Sequence, residues 1–284
     1  PGIGGIGGMQ GHGQTGQQES DRGAVRQSVA PLSSRVAHRD PAGPEVYAPG
    51  PIAAGAGLIR KVTRLWPLLL PSACLVCASV QREGVCTTCA GTLLQPVPRC
   101  PRCAMPDSHG HCGTCADDDP VDATLTLGHY ATPFDTLILR LKFGARLPVA
   151  AWLGAQLAET VRVSGTRPDL LVPVPLSAQR LAERGFNQAW VMARPMARRL
   201  GIGMSATVLT RSRDTLSQRT LDLAARQANL QQAFAVDATA ALDGLHVGLV
   251  DDVMTTGATL REAARVLKAH GAARVTALVA LRTP

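Results

Sequence analysis

Aromatic side chains are scarce in this chain, only 3% of 284 residues. A core must therefore be built from leucine, valine and alanine, and 45% hydrophobic content with a mean hydropathy of +0.07 supplies enough of them. The same scarcity argues against a broad base-stacking platform for single strands. Trp152, Phe186, Trp190 and Phe234 are few for that task, and some of them belong to the core. Long apolar runs are missing too. No stretch reaches the roughly 18 apolar residues of a membrane helix, and the best one, Leu65 to Cys77, is broken by Pro67 and Pro71. The N-terminus lacks the charged–apolar–small order of a signal segment. A cytoplasmic chain without a membrane span is the expectation. Cysteine is absent outside residues 74–115, where all eight lie.

What is present is unevenly spread. Residues 1–57 are rich in Gly, Gln, Pro and Ser and poor in large apolar side chains, so they are expected to be a disordered tail. Residues 58–120 read as a lead helix, Leu58 to Leu70, followed by the cysteine-rich module. Residues 121–284 read as one α/β domain. The formal net charge is +8. Between residues 161 and 226, eleven arginines face four acidic residues. That surplus suits either a solvated surface or an anion-binding face.

From residue 121 short apolar segments alternate with amphipathic ones. Strands are predicted at 123–130, 169–174, 246–250 and 274–281. Helices are predicted at 133–142, 148–163, 187–200, 221–232 and 256–270. In the last, Leu260, Ala263, Ala264 and Leu267 share a face, and Gly271 stands at the expected stop. This alternation predicts a mostly parallel sheet flanked by helices.

The cysteines form four C-x2-C pairs: Cys74/Cys77, Cys86/Cys89, Cys100/Cys103 and Cys112/Cys115. Eight residues separate the first two pairs, and eight the last two, so one unit occurs twice. A C-x2-C turn aims two thiolates at one cation, and two such turns close a tetrahedron. Two structural zinc sites are expected, with no ligand position left for catalysis. Disulfides fit poorly with paired spacing in a reducing compartment. Two pairings remain open, sequential (74/77/86/89 with 100/103/112/115) or crossed. His109 and His111 are expected to be loop residues rather than ligands.

The chemistry is concentrated in Asp251, Asp252, Val253, Met254, Thr255, Thr256, Gly257, Ala258 and Thr259. This run follows a buried strand and opens a helix. Amides at a helix N-terminus are unsatisfied and partly positive, so they bind phosphate. Gly257 allows close backbone approach. Thr255, Thr256 and Thr259 add hydroxyl donors. Two adjacent carboxylates would repel phosphate but suit a vicinal diol. The bland alternative is a strand–helix connection in which Asp and Thr serve as caps.

The run resembles the motif by which type I phosphoribosyltransferases bind 5-phosphoribosyl-1-pyrophosphate (PRPP): an apolar strand, two acids, then x-x-T-T-G-x-T. The resemblance implies that Asp251 and Asp252 hold the ribose hydroxyls and act in catalysis, that Thr255 to Thr259 hold the 5′-phosphate, and that Mg²⁺ accompanies PRPP. Further blocks are Leu141-Lys142-Phe143, Leu171 to Leu176, and Arg184-Gly185-Phe186-Asn187-Gln188. Thr215, Gln218, Arg226, Asn229 and Phe234 follow. In this order, behind the cysteines, they are similar to the ComF (ComF/GntX) family over about residues 58–284. The implied fold is that of type I phosphoribosyltransferases with a small zinc-ribbon module.

By the same likeness, Pro173, Val174 and Pro175 would bind pyrophosphate with help from Arg180 and Arg184. Thr215, Gln218, Arg219, Arg226 and Asn229 would lie on a loop that closes over the substrate. The Arg184–Gln188 block also has a structural reading, with Asn187 as a helix cap and Phe186 in the core. That family is associated with competence and single-stranded DNA import. Three readings therefore stand: a phosphoribosyltransferase of unidentified acceptor, a module that senses PRPP or binds single-stranded DNA, and a scaffold whose ribbon docks a helicase-like competence partner.

Overall fold

The computed structural model describes residues 72–211 and 233–284, apart from 82, 83, 109, 111 and 114. The expected tail, the helices at 58–70 and 221–232, both loop histidines, and Thr215, Gln218, Arg219, Arg226 and Asn229 lie outside the described residues.

Five parallel strands form the central sheet: β3 (Ala123–His129), β4 (Leu170–Pro173), β5 (Gly203–Met204), β8 (His246–Met254) and β9 (Arg274–Arg282). Their spatial order is β3-β9-β8-β4-β5. The central strands are buried on both sides, which is why they read as continuous Val, Leu and Ala runs. Two short antiparallel pairs stand outside the sheet. One is β1 (Ser72–Ala73) with β2 (Val80–Gln81), and the other is β6 (Leu209–Arg211) with β7 (Phe234–Val236).

Each face of the sheet has its own core. On one face, Val247, Leu249, Val275 and Ala277 pack under α6 (Ala258–Ala269) through Leu260, Ala263, Ala264 and Leu267. On the other, Leu171, Val250, Leu278 and Ala280 pack under α2 (Asp135–Gly144), α3 (Leu147–Ser164) and α5 (Gln188–Leu200). Burying each such leucine or valine contributes about 1.5–3 kcal/mol. Helices α3 and α5 approach closely at Gly154, where a Cβ would collide with the Met192 carbonyl and come within 2.8 Å of Pro195.

The cysteine-rich segment is welded to this body. Its first half, with α1 (Thr87–Leu93), sends Cys74, Val85 and Leu93 into the α2/α3/α5 core. Its second half sends Cys100 and Cys103 into the α6 core. The backbone and hydroxyl of Thr124 bond the carbonyls of Pro101 (2.9 Å) and Arg102 (2.5 Å). Among the described residues no helix is long and apolar enough to cross a membrane.

Besides the short elements α1, β1, β2, β5, β6 and β7, which the sequence-based expectation did not include, two larger features differ from it. β8 does not stop at Val250; pairing with β9 continues to Met254↔Arg282, so both aspartates lie inside the strand. The hydrophobic pattern ends where polar residues begin, but backbone pairing takes no notice of side-chain polarity. A seven-residue helix, α4 (Ala178–Arg184), was also missed, because it buries no residue and so carries no apolar period.

Candidate functional site

The carboxyl ends of β4 and β8 meet where Val174 N–H donates to the Val250 carbonyl at 2.9 Å. Open α/β sheets bind ligands at this edge. Strand alternation puts Asp252 on the face of Gly248 and Val250, and Asp251 on the face of Val247 and Leu249. Asp252 is 7% exposed, and its Oδ2 lies 2.8 Å from Lys142 Nζ on α2. The sequence analysis did not place Lys142 in the site, although it stands in the Leu-Lys-Phe block. Only the packing of α2 on the sheet brings it there.

Asp251 is half-buried and accepts from the Asp252 amide at 2.8 Å. Burial pushes its carboxyl up to about 7, with the Asp252 charge adding and the Asp252 amide, Lys142 and Arg211 opposing. Arg184 also faces Asp252, and its guanidinium stands 5.9 Å from the centre of the Phe143 ring. Phe143 is 77% exposed beside this cluster.

After Met254 the chain turns through Thr255 and Thr256, both exposed, to Gly257 at φ 78°. A Cβ there would meet Met254 Cε at 2.6 Å, so the left-handed turn and the close packing both require glycine. Gly257 is the N-cap of α6 and has no side chain to cap it, but the Thr256 hydroxyl accepts from the Ala258 amide at 3.4 Å. The capping role weighed for Thr is thus met in part by Thr256. The next amides of the first turn, from half-buried Thr259 onward, lack an intrahelical acceptor as at any helix start, which suits an anion.

At 173–175, Pro173 and Pro175 have no N–H and that of Val174 is spent on Val250, so the segment offers an anion no free backbone amide. Positive charge at this edge comes instead from half-buried Arg184 and exposed Arg180. The Arg184–Gln188 block has a clear local role. Gly185, at φ 75°, ends α4. Asn187 caps α5 by accepting from Ala189 and Trp190, and its amide donates to the Val174 carbonyl at 3.0 Å. Phe186 packs on the α2/α3/α5 core. The block is thus a structural clamp that also fixes Arg184 near the aspartates.

The eight cysteines form two groups, Cys74/Cys77/Cys86/Cys89 and Cys100/Cys103/Cys112/Cys115, with the sulfurs of each group within 4.8 Å of one another. The pairing is sequential. Sulfur separations of 3.8 Å (77–86), 3.8 Å (100–115), 3.4 Å (103–112) and 3.4 Å (112–115) are too long for disulfides. They match the edge of a tetrahedron with metal–sulfur bonds of ~2.3 Å, which is about 3.8 Å. Backbone amides support the sulfurs: those of Val76 and Cys86 donate to Cys74, and that of Cys112 to Cys100. Burial raises the Cys74 thiol, but the amides of Cys86, Cys77 and Val76 outweigh it and bring it down to about 6. Burial and three neighbouring thiols drive Cys89 up to about 12, so a bound cation would be needed to keep the whole quartet ionised. Each group can hold one metal ion.

Comparison with known proteins agrees with this geometry. Residues 187–284 match the phosphoribosyl transferase domain model. The chain is 35% identical over 227 residues to the DNA utilization protein YhgH of Salmonella typhimurium, covering 76% of this chain and 99% of that protein. It is 31% identical to Competence protein F of Haemophilus influenzae, covering 68% of this chain and 87% of the relative. With Competence protein ComFC of Bacillus subtilis the identity is 28%, over 71% and 85%. A parallel sheet flanked by helices, two cysteine quartets and relatives matched over most of their length converge on one assignment: the chain belongs to the ComF family, with a phosphoribosyltransferase fold.

Proposed function

We propose that this protein binds PRPP with Mg²⁺ at the β8–α6 turn and acts in the handling of imported DNA, as the names of its relatives suggest. The observation that carries the PRPP reading is the glycine-led N-terminus of α6 directly after two carboxylates. Thr255 to Thr259 would take the 5′-phosphate, and Asp251 and Asp252 the ribose diol. Arg184 and Arg180 would face the pyrophosphate. Asp251 and Asp252 would stand beside Mg²⁺, which when bound would supply charge neutralisation for the leaving pyrophosphate. Such a pocket favours displacement of pyrophosphate at the anomeric carbon, and the chain's part is positioning and charge neutralisation. Zinc is the metal that best suits four thiolates in a closed shell, and here its role is structural.

Calorimetric titration of PRPP and Mg²⁺ into the metal-loaded full chain tests this reading. One saturable site per chain is expected, and no binding would reject it. A second reading, single-strand binding, is favoured by exposed Phe143 with Arg184 against its ring. In the same titration an oligothymidylate would bind with an affinity that falls steeply with salt.

The raised Asp251 carboxyl gives a pH dependence. Below about 7 it is protonated and cannot accept from both partners, so PRPP affinity should rise about tenfold between pH 6 and pH 8. Folding responds with the opposite sign. The native pKa lies above the unfolded value, so this group's contribution is full at low pH and is lost as pH rises through about 7. Asp251→Asn should flatten both profiles and leave only the ligand's own titration. A slope unchanged in the variant would assign the effect to PRPP alone.

A further inference from the structure

A loop that turns its amides toward an anion turns its carbonyls the other way, and those carbonyls need donors. Here the donors are two arginines. Arg282, the last residue of β9, is 5% exposed. It donates from Nη1 to the carbonyls of Met254 (3.3 Å) and Thr255 (2.5 Å), and from Nε to the carbonyl of Cys103 (3.0 Å). Arg261 donates to the Thr256 carbonyl at 2.8 Å and lies 3.8 Å from Asp119, just beyond Cys115. The Met254 carbonyl also accepts from the Thr283 amide at 2.9 Å, whereas those of Thr255 and Thr256 are held by the two arginine side chains. Each of those side chains also grips the segment that carries the second quartet. Among the described residues the first quartet has no such link to the turn, and Cys74 packs in the core on the other face of the sheet.

We propose that Arg282 is a positioning residue that couples the second thiolate quartet to the 5′-phosphate turn, with Arg261 as an auxiliary strap. A metal ion at Cys100/Cys103/Cys112/Cys115 fixes the Cys103 carbonyl. That carbonyl fixes the guanidinium, and the guanidinium fixes the turn in the shape that presents amides outward. Loss of that ion would loosen the turn, whereas loss of the ion at Cys74/Cys77/Cys86/Cys89 would act only through general stability. Binding linkage is reciprocal, so an anion seated in the turn must also strengthen metal retention at the second quartet.

The assignment of the anion as PRPP rests on the function proposed above, so the primary test uses no ligand. Arg282→Lys keeps the charge but cannot reach all three carbonyls. In the zinc-loaded full chain, amide hydrogen exchange at 253–259 should speed up at least tenfold while β9 amides remain protected. During chelation, peptide-resolved thiol alkylation should reach Cys100, Cys103, Cys112 and Cys115 at least tenfold faster, with Cys74, Cys77, Cys86 and Cys89 unchanged. Unaltered turn exchange, or equal acceleration of both quartets, would overturn the proposal, because a merely structural arginine would loosen everything together.

Arg261→Gln, on a half-exposed side chain, guards against a general unfolding of the first variant. It should move the same two readouts about threefold, and if it moves neither, the coupling does not exist. Adding Mg·PRPP should then slow alkylation of the second quartet in the unmutated chain and much less in Arg282→Lys. If PRPP fails to bind, that last arm is silent while the first two still decide the coupling.

Discussion

Replacing Asp252 by asparagine is expected to lower PRPP affinity by about 10- to 100-fold while leaving the fold in place. Hydrogen bonds to a charged partner contribute about 1.5–3 kcal/mol, and each 1.4 kcal/mol is about tenfold in affinity. The substitution preserves volume in a site where the carboxylate is 7% exposed, so packing is kept and charge is lost. The structure adds one complication. Lys142 Nζ pairs with Asp252 Oδ2 at 2.8 Å, and the substitution leaves that ammonium facing a neutral amide. Breaking a fully buried pair is severe. Lys142 keeps 22% of its side chain exposed, however, and a long flexible stem can carry the charge to water. A stability loss of about 1–2 kcal/mol is therefore expected, seen as a lower urea midpoint with unchanged slope. Calorimetry of both proteins separates the two effects. Undiminished affinity would remove Asp252 from the ribose site.

Strong chelation should have the larger effect on the fold. Binding of structural zinc is worth about 10–16 kcal/mol in small peptides, whereas a typical domain has only about 5–15 kcal/mol of net stability. The damage should not stay within the cysteine segment. Cys74 belongs to the core on one face of the sheet, and Cys100 and Cys103 to the core on the other. We expect two zinc ions per chain by elemental analysis. Their removal should lower the thermal midpoint by at least about 10 °C, given roughly 2–4 °C per kcal/mol for a body of this size. A chain that melts at the same temperature without metal would show that the quartets are not structural metal sites.

The sequence by itself determined the chemistry and the class of fold. C-x2-C spacing declares a tetrahedral thiolate site because two residues between cysteines suffice for one tight turn. Asp251 to Thr259 stands out as a candidate phosphate turn because glycine, hydroxyls and a helix start stand in order. The alternation of apolar strands with amphipathic helices implied the parallel sheet. These signals are local, and a chain's local pattern is written in consecutive residues.

Tertiary structure alone decided what depends on residues far apart. It chose the sequential pairing of the cysteines, because the two halves of the module pack on opposite faces of the sheet. It carried β8 through both aspartates, because β9 offers backbone partners as far as Arg282. It withdrew the Val174 amide from the ligand edge by pairing it with Val250. It brought Lys142 to Asp252 across 110 residues of chain, and joined Arg282 to both Cys103 and the turn at Met254 and Thr255. An arginine or lysine looks the same in sequence whether it faces solvent or spans a core. Only packing selects its partners, and with them its role.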